Sequence, residues 1–92
     1  MLATIEISMY ALSDDYADRV IAFIQRVKQN KNIRVEVNGL STQLFGDYDI
    51  LMQLLKEEMQ YDLENGKCVF LVKIGPGELS KEKLPNILKN DF

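Results

Sequence analysis

Residues 33–46 hold the pattern that most constrains how this chain can fold. Apolar and polar residues alternate over 33–37, which is the period of a strand with one buried face. Asn38-Gly39 then interrupts the alternation, and Asn-Gly is the strongest short hairpin signal because both residues tolerate the positive φ of a tight turn. Alternation resumes over 41–45. The sequence therefore predicts a β-hairpin.

The remaining elements follow from the same kind of periodicity. Residues 2–10 alternate as a half-buried strand does, whereas 14–29 and 48–64 repeat apolar side chains every three or four positions, as amphipathic helices do. Residues 67–74 are apolar at nearly every position, which is typical of a strand covered on both faces. With the hairpin between the two helices, the order is β-α-β-β-α-β.

This order predicts an α+β protein with the ferredoxin-like βαββαβ arrangement, a four-stranded antiparallel sheet with two helices on one face. We expect one domain over residues 1–77 and a C-terminal tail over 78–92. Apolar residues at Leu84, Ile87 and Leu88 indicate that the tail forms a short helix docked on the domain or on its partner.

The helices leave the second sheet face open. Because the last strand is apolar on both sides, another structure is expected to cover part of that face, and a second copy packed sheet to sheet is the simplest cover. We therefore expect a homodimer or homotetramer.

Composition excludes several classes of function. A net charge of −3 without a cluster of Lys or Arg argues against a nucleic-acid partner. No segment resembles a signal peptide or approaches the roughly 18 apolar residues of a membrane span, so a cytoplasmic protein is the default expectation. The chain has no histidine, and its single cysteine, Cys68, lies in an apolar run. We expect no metal site and no cofactor.

The hairpin is also the best candidate for a binding site. It carries an unusual share of small polar side chains close to two glycines that would let a ligand approach the backbone: Asn38, Ser41, Thr42 and Gln43. Each also has an ordinary structural explanation. Asn38-Gly39 fits turn chemistry, and Thr42 is a common strand residue.

Three segments resemble the YkoF-like thiamine-binding family, which includes small single-domain bacterial and archaeal proteins. They are the strand 4–10, the run 35–42 followed by 44–47, and the closing 72–74. The most specific part is 35–47, where a strand with an acid, a glycine turn, a threonine and a glycine before a helix occur in that order.

The resemblance implies a ferredoxin-like fold, sheet-to-sheet pairing and binding of thiamine or of its hydroxymethylpyrimidine part. Members with tandem domains make that pairing inside one chain, so this one-domain chain would need a homodimer or a larger assembly. An aminopyrimidine needs side chains that donate and accept hydrogen bonds and an apolar surface, and a thiazolium suits a nearby carboxylate such as Glu36 or Glu6. The ligand-binding candidates are Tyr10, Glu36, Asn38, Ser41, Thr42 and Phe45. Of these, Phe45 fits the core better than a ligand contact, and Tyr10 fits an interface as well as a binding site.

Three functions can be weighed on this basis. The leading hypothesis is a non-catalytic small-molecule binder, and the alternative is an oligomeric interaction module without a ligand. An enzyme is not expected, because the chain lacks histidine, a glycine-rich phosphate loop and a nucleophile-base signature. The acidic pairs Asp14-Asp15 and Glu57-Glu58 are adjacent in helices, so their side chains point apart.

Overall fold

A computed structural model, which describes residues 1–85, confirms the predicted α+β fold. One four-stranded sheet has the order β2-β3-β1-β4, and every neighbouring pair is antiparallel. The elements are β1 (Leu2–Ala11), α1 (Tyr16–Lys28), β2 (Arg34–Val37), β3 (Thr42–Asp47), α2 (Tyr48–Glu64), β4 (Cys68–Pro76) and a 3₁₀ turn (Lys81–Lys83). No helix within residues 1–85 is both long and apolar enough to cross a bilayer.

Both helices pack on the same face of the sheet. The alternation of β1 turns one set of side chains into the core, and the helices contribute two residues from α1 and three from α2. The buried residues are Ala3, Ile5, Ile7, Met9, Ala11, Phe23, Val27, Leu44, Leu51, Leu54 and Leu55. Thr4, Glu6, Ser8 and Tyr10 of β1 therefore point to the opposite side, called the open face below.

Within the described chain, the core covers one face of strand β4. Cys68, Phe70 and Val72 pack toward the core, and the ring centroid of Phe70 lies 5.4 Å from that of Phe23. Val69 and Leu71 are 55% and 58% exposed. A run without alternation has no period from which to read its buried face, so the sequence left this parity open.

The hairpin forms, but the expected tight turn with positive φ is wrong. Val37 pairs with Thr42, and the four residues between them make the turn, closed by Asn38 N donating to Ser41 O at 3.1 Å. Asn38 Oδ1 accepts from the backbone N–H of Leu40 at 2.8 Å and of Ser41 at 3.1 Å. Because the Asn38 side chain satisfies the turn backbone, Gly39 does not need a positive φ and has none.

A buried ion-pair network joins the two helices. Asp62 of α2 is 3% exposed and pairs with Arg26 of α1, which also holds Glu58. The guanidinium of Arg19 lies 3.7 Å from the Asp62 carboxylate and donates to the backbone oxygens of Asp62 at 2.9 Å and Lys67 at 3.2 Å. Arg19 thus donates to one carbonyl in the last turn of α2, where a cation is favoured, and to one just beyond the helix.

Asp47 is the N-cap of helix α2. Its carboxylate accepts from the backbone N–H of Asp49 at 3.1 Å and of Ile50 at 3.4 Å, and it pairs with the Met1 ammonium at 3.2 Å. The hydrogen bond from that ammonium is the largest influence on the carboxyl group. It and the backbone donors outweigh desolvation and hold the pKa of Asp47 below its ordinary value of 3.8.

This lowered pKa predicts an acid-dependent loss of stability that an amide at residue 47 should not show. A carboxylate whose pKa is lower in the folded state stabilises the fold fully above its unfolded value, and that contribution is lost as pH falls through the folded value. Asp47→Asn keeps a capping side chain without a titrating charge. Urea unfolding at a series of pH values below 3.8 should show a steeper loss of unfolding free energy in the wild type than in Asp47→Asn. Identical pH slopes would contradict this role for Asp47.

Candidate functional site

A row of polar side chains crosses the open face of the sheet. The strand register places Gln43 directly opposite both Glu36 of β2 and Glu6 of β1, and Glu6 opposite Lys73 of β4. Side chains directly opposite on one sheet face have Cβ atoms about 4.5–5.5 Å apart. We call Glu36, Gln43, Glu6 and Lys73 the central row. In this row, one carboxylate lies on each side of the Gln43 amide.

The two carboxylates of the central row differ in how strongly they are neutralised. Glu6 accepts from Ser41 Oγ at 3.1 Å, and its nearest cation, Lys73 Nζ, is 3.7 Å away on a side chain that is 76% exposed. Glu36 instead pairs closely with the guanidinium of Arg34. The Gln43 amide has no hydrogen-bond partner within residues 1–85. Glu6 and Gln43 are consequently the members of the row best able to bind a ligand.

Arg34 lies on the open face next to the central row. Its guanidinium carbon lies 4.2 Å from the ring centroid of Phe45, which is 5% exposed, and it pairs with both Glu36 and Glu78. Desolvation is the largest single influence on this group and lowers its pKa. The hydrogen bonds to Glu78 and Glu36 and their charges outweigh it, so the pKa of Arg34 is raised.

Residues 78–84, called the strap below, fold back over the sheet from the end of β4. Gly77 turns the chain with a φ of +68°, and its N–H donates to Leu2 O at 2.9 Å. Thr4 Oγ1 donates to Gly77 O at 2.7 Å and accepts from Leu79 N at 2.8 Å. One buried threonine thereby fixes both the turn and the start of the strap.

Gly75 of β4 makes room for the strap because glycine has no side chain. A Cβ atom at Gly75 would lie 2.5 Å from Leu79 Cδ1, so the glycine provides the notch in which Leu79 rests. The strap belongs to the segment predicted as a tail. Of the three apolar residues behind that prediction, Leu84 is half-buried, whereas Ile87 and Leu88 lie outside the described residues.

Two hollows lie between the strap and the central row, and they share Gln43 and Leu79. The larger is about 560 Å³ and its lining includes Glu36, Asn38, Gln43, Leu79, Ser80 and Leu84. The smaller is about 270 Å³ and is lined by Thr4, Glu6, Gln43, Lys73, Gly75 and Leu79, among others. Binding sites for small molecules commonly measure roughly 300–1,000 Å³. Together the two hollows, called the cleft below, are thus large enough for such a ligand.

The structure brings some of the six predicted site residues to this cleft. Glu36 and Asn38 line the larger hollow, and Ser41 reaches the central row through its hydrogen bond to Glu6. Phe45 lies on the open face but is buried beneath Arg34.

The other predicted residues gather elsewhere. Tyr10 and Thr42 line a hollow of about 110 Å³ beside the hairpin turn, together with Asn38 and Ser41. Thr42 shares the helix-facing side of β3 with Leu44 and is buried. This hollow is below the roughly 300 Å³ at which small-molecule sites begin, so we assign the candidate site to the cleft under the strap.

Sequence reasoning missed three residues of the cleft, one on β1 and two in the strap. Thr4, Leu79 and Ser80 all line it, but none belongs to the hairpin. The available signal was the break Gly75-Pro76-Gly77, which predicted a change of chain direction but not the surface to which the chain returns.

The comparisons with known proteins identify related folds. No family model matches the chain, and no curated protein matches its sequence. A solved structure from Streptococcus pneumoniae is 27% identical, with a TM-score of 0.73 over 86% of this chain and 90% of that one. The domain of unknown function DUF77 from Bacillus cereus is 24% identical, with a TM-score of 0.70 over 91% and 88%.

A third structure carries a functional description. It is a Thermotoga maritima protein assigned provisionally to thiamine biosynthesis or salvage, 18% identical, with a TM-score of 0.79 over 91% of this chain and 96% of that one. Identities of 24% and 18% show a shared fold and nothing finer. The chain therefore has the same fold as a group of small proteins that includes this Thermotoga maritima protein.

Proposed function

We propose that this protein is a non-catalytic binder of a small aminopyrimidine, with thiamine, which adds a positively charged thiazolium ring, or its hydroxymethylpyrimidine part as the ligand. The observation that carries the proposal is the central row, in which Glu6 and Glu36 flank Gln43 on the floor of the cleft. The amide of Gln43 both donates and accepts hydrogen bonds, as an aminopyrimidine edge requires. The carboxylates favour a positively charged ring.

The two-part shape of the cleft supports a ligand with two rings. Thiamine joins a pyrimidine to a thiazolium through one carbon, and the two hollows meet at Gln43 and Leu79. We assign the aminopyrimidine to the larger hollow, where Asn38 and Gln43 supply donors and acceptors. The thiazolium is assigned to the smaller hollow beside Glu6, the less neutralised carboxylate.

The provisional assignment of the Thermotoga maritima protein to thiamine biosynthesis or salvage supports the same ligand class. The resemblance of residues 35–47 to the thiamine-binding family is a separate argument for it.

Isothermal titration calorimetry with thiamine and with hydroxymethylpyrimidine tests the proposal. We expect saturable binding of both at one site per chain, with thiamine the tighter ligand because only thiamine carries the positive ring that Glu6 attracts. Folded protein that gives no heat with either compound at millimolar concentration would count against it.

A second candidate function, self-association through the sheet, is favoured by a separate observation. The strap covers one end of the open face, and at the other end Tyr10, Val69 and Leu71 remain 46%, 55% and 58% exposed. Burial of neighbouring apolar side chains that are exposed on a sheet is favourable. We propose that a second copy packs there, giving a homodimer or homotetramer; without ligand binding, this assembly would itself be the function.

Leu71→Lys should reduce the assembled fraction, because a lysine ammonium at the centre of this patch would have to be desolvated on association. Size-exclusion chromatography with light scattering measures the mass of each variant. Ile21→Lys serves as the matched control, since Ile21 is an exposed apolar residue of α1, on the other side of the sheet. A Leu71→Lys protein of unchanged assembled mass, or a monomeric wild type, would contradict the sheet-to-sheet arrangement.

A further inference from the structure

Ser80, the third residue of the strap, contains a buried hydroxyl that has no hydrogen-bond partner among the described residues. The residue is 2% exposed, and its Oγ is the one buried side-chain polar atom within residues 1–85 that lacks a partner. Buried polar groups are nearly always hydrogen-bonded, so such an atom calls for a specific explanation.

Local structure does not provide that explanation. Ser80 precedes the 3₁₀ turn Lys81–Lys83, and a serine in that position usually caps the turn with its side chain. Here the side chain makes no capping bond, and the backbone oxygen of Ser80 accepts from Lys83 N at 3.0 Å instead. The hydroxyl is therefore not needed to form the turn.

The strap also does not need this hydroxyl to stay in place. Its position is set by the hydrogen bond that Leu79 N donates to Thr4 Oγ1, by the pairing of Glu78 with Arg34 and by the Gly75 notch. Burying an unpartnered hydroxyl disfavours the seated strap, so these contacts hold it down against a local cost.

Ser80 belongs to the lining of the larger hollow, together with Asn38 and Gln43. We propose that Ser80 contacts the ligand directly. Its hydroxyl would gain from an aminopyrimidine in this hollow the hydrogen-bond partner that it lacks within residues 1–85. A hydroxyl can donate to a pyrimidine ring nitrogen and accept from the exocyclic amine. Because Oγ is buried, the strap has to shift for this hydroxyl to reach the ligand.

This inference rests on the proposed function and extends it to a residue outside the sheet. It implies that the strap helps select the pyrimidine ring, whereas Glu6 acts on the thiazolium. Loss of the Ser80 hydroxyl should therefore lower the affinities for thiamine and for hydroxymethylpyrimidine by the same factor.

Ser80→Ala should change two measurements in opposite directions. In the free protein it removes an unpartnered buried hydroxyl, so the midpoint of thermal unfolding should rise by roughly 5 °C. It should also lower the affinity for both compounds by about three- to tenfold, measured by calorimetry, because a ligand hydrogen bond is lost. Ser13→Ala is the control, since Ser13 is an exposed serine before α1 and away from the cleft. If the alanine variant folds poorly, Ser80→Cys keeps a similar volume with a weaker donor and should weaken both ligands as well.

The outcomes separate this inference from the proposal beneath it. Wild-type binding that Ser80→Ala leaves unchanged would overturn the contact and leave the thiamine-type site standing. A variant that loses stability and affinity together would show that the hydroxyl supports the fold instead, which also overturns it. A wild type that binds neither compound would remove both the site and the role of Ser80.

Discussion

Asp62→Ala is expected to lower the free energy of unfolding by about 3 kcal/mol, a large share of the roughly 5–15 kcal/mol that holds a typical domain folded. The Asp62 carboxylate is buried between the guanidinium groups of Arg19 and Arg26, whose side chains are 11% and 24% exposed. Removing it leaves two cations close together, with Glu58 as the one remaining carboxylate paired with them within residues 1–85. Urea unfolding monitored by circular dichroism measures the change.

Glu57→Ala is the matched control for this variant. Glu57 also lies in α2, but it is exposed and its carboxylate accepts only from Gln53. Its loss should cost less than about 0.5 kcal/mol, as is usual for an exposed side chain. Similar losses in the two variants would mean that the helix-helix network has no special role in stability.

Glu6→Gln is expected to weaken thiamine binding by about ten- to a hundredfold, the range for hydrogen bonds and ion pairs with a charged group. The affinity for hydroxymethylpyrimidine should change by less than about twofold, because that compound carries no fixed positive charge for Glu6 to attract. The two titrations with one variant therefore separate charge recognition from the recognition of ring edges.

Glu82→Gln provides the charge-matched control for the titrations. Glu82 is exposed in the 3₁₀ turn of the strap, so this variant changes the net charge equally without altering the floor of the cleft. An equal loss of affinity for both ligands in Glu6→Gln would show that Glu6 supports the structure of the cleft and does not recognise the thiazolium. Unchanged binding of thiamine would remove Glu6 from the site.

The fold could be predicted from the sequence because its signals are local. The alternation of β1, the helical periods of α1 and α2 and the Asn38-Gly39 hairpin each depend on residues within a few positions of one another. Together they give the observed order of elements. The predicted turn type was wrong. The Asn38 side chain accepts hydrogen bonds from the loop backbone, so the turn forms without a positive φ.

The candidate site could be predicted only in part, because the cleft depends on contacts between distant segments. Thr4 meets Leu79 across 75 positions, and Arg34 meets Glu78 across 44, so no local period signals the strap. The residues of the hairpin that were predicted as one site point to both faces of the sheet. Alternation places Thr42 with Leu44, on the side opposite Glu36 and Gln43.

An amide NMR titration of the protein with thiamine tests the central claim, that the cleft between strap and sheet binds the ligand, most directly. The account predicts saturable shifts concentrated at Glu6, Glu36 and Gln43 and in the strap, with hydroxymethylpyrimidine reproducing those of the larger hollow. Shifts centred on Tyr10 and Thr42, around the separate hollow of about 110 Å³ beside the hairpin turn, would contradict the location of the site. No saturable shifts at all would contradict the function.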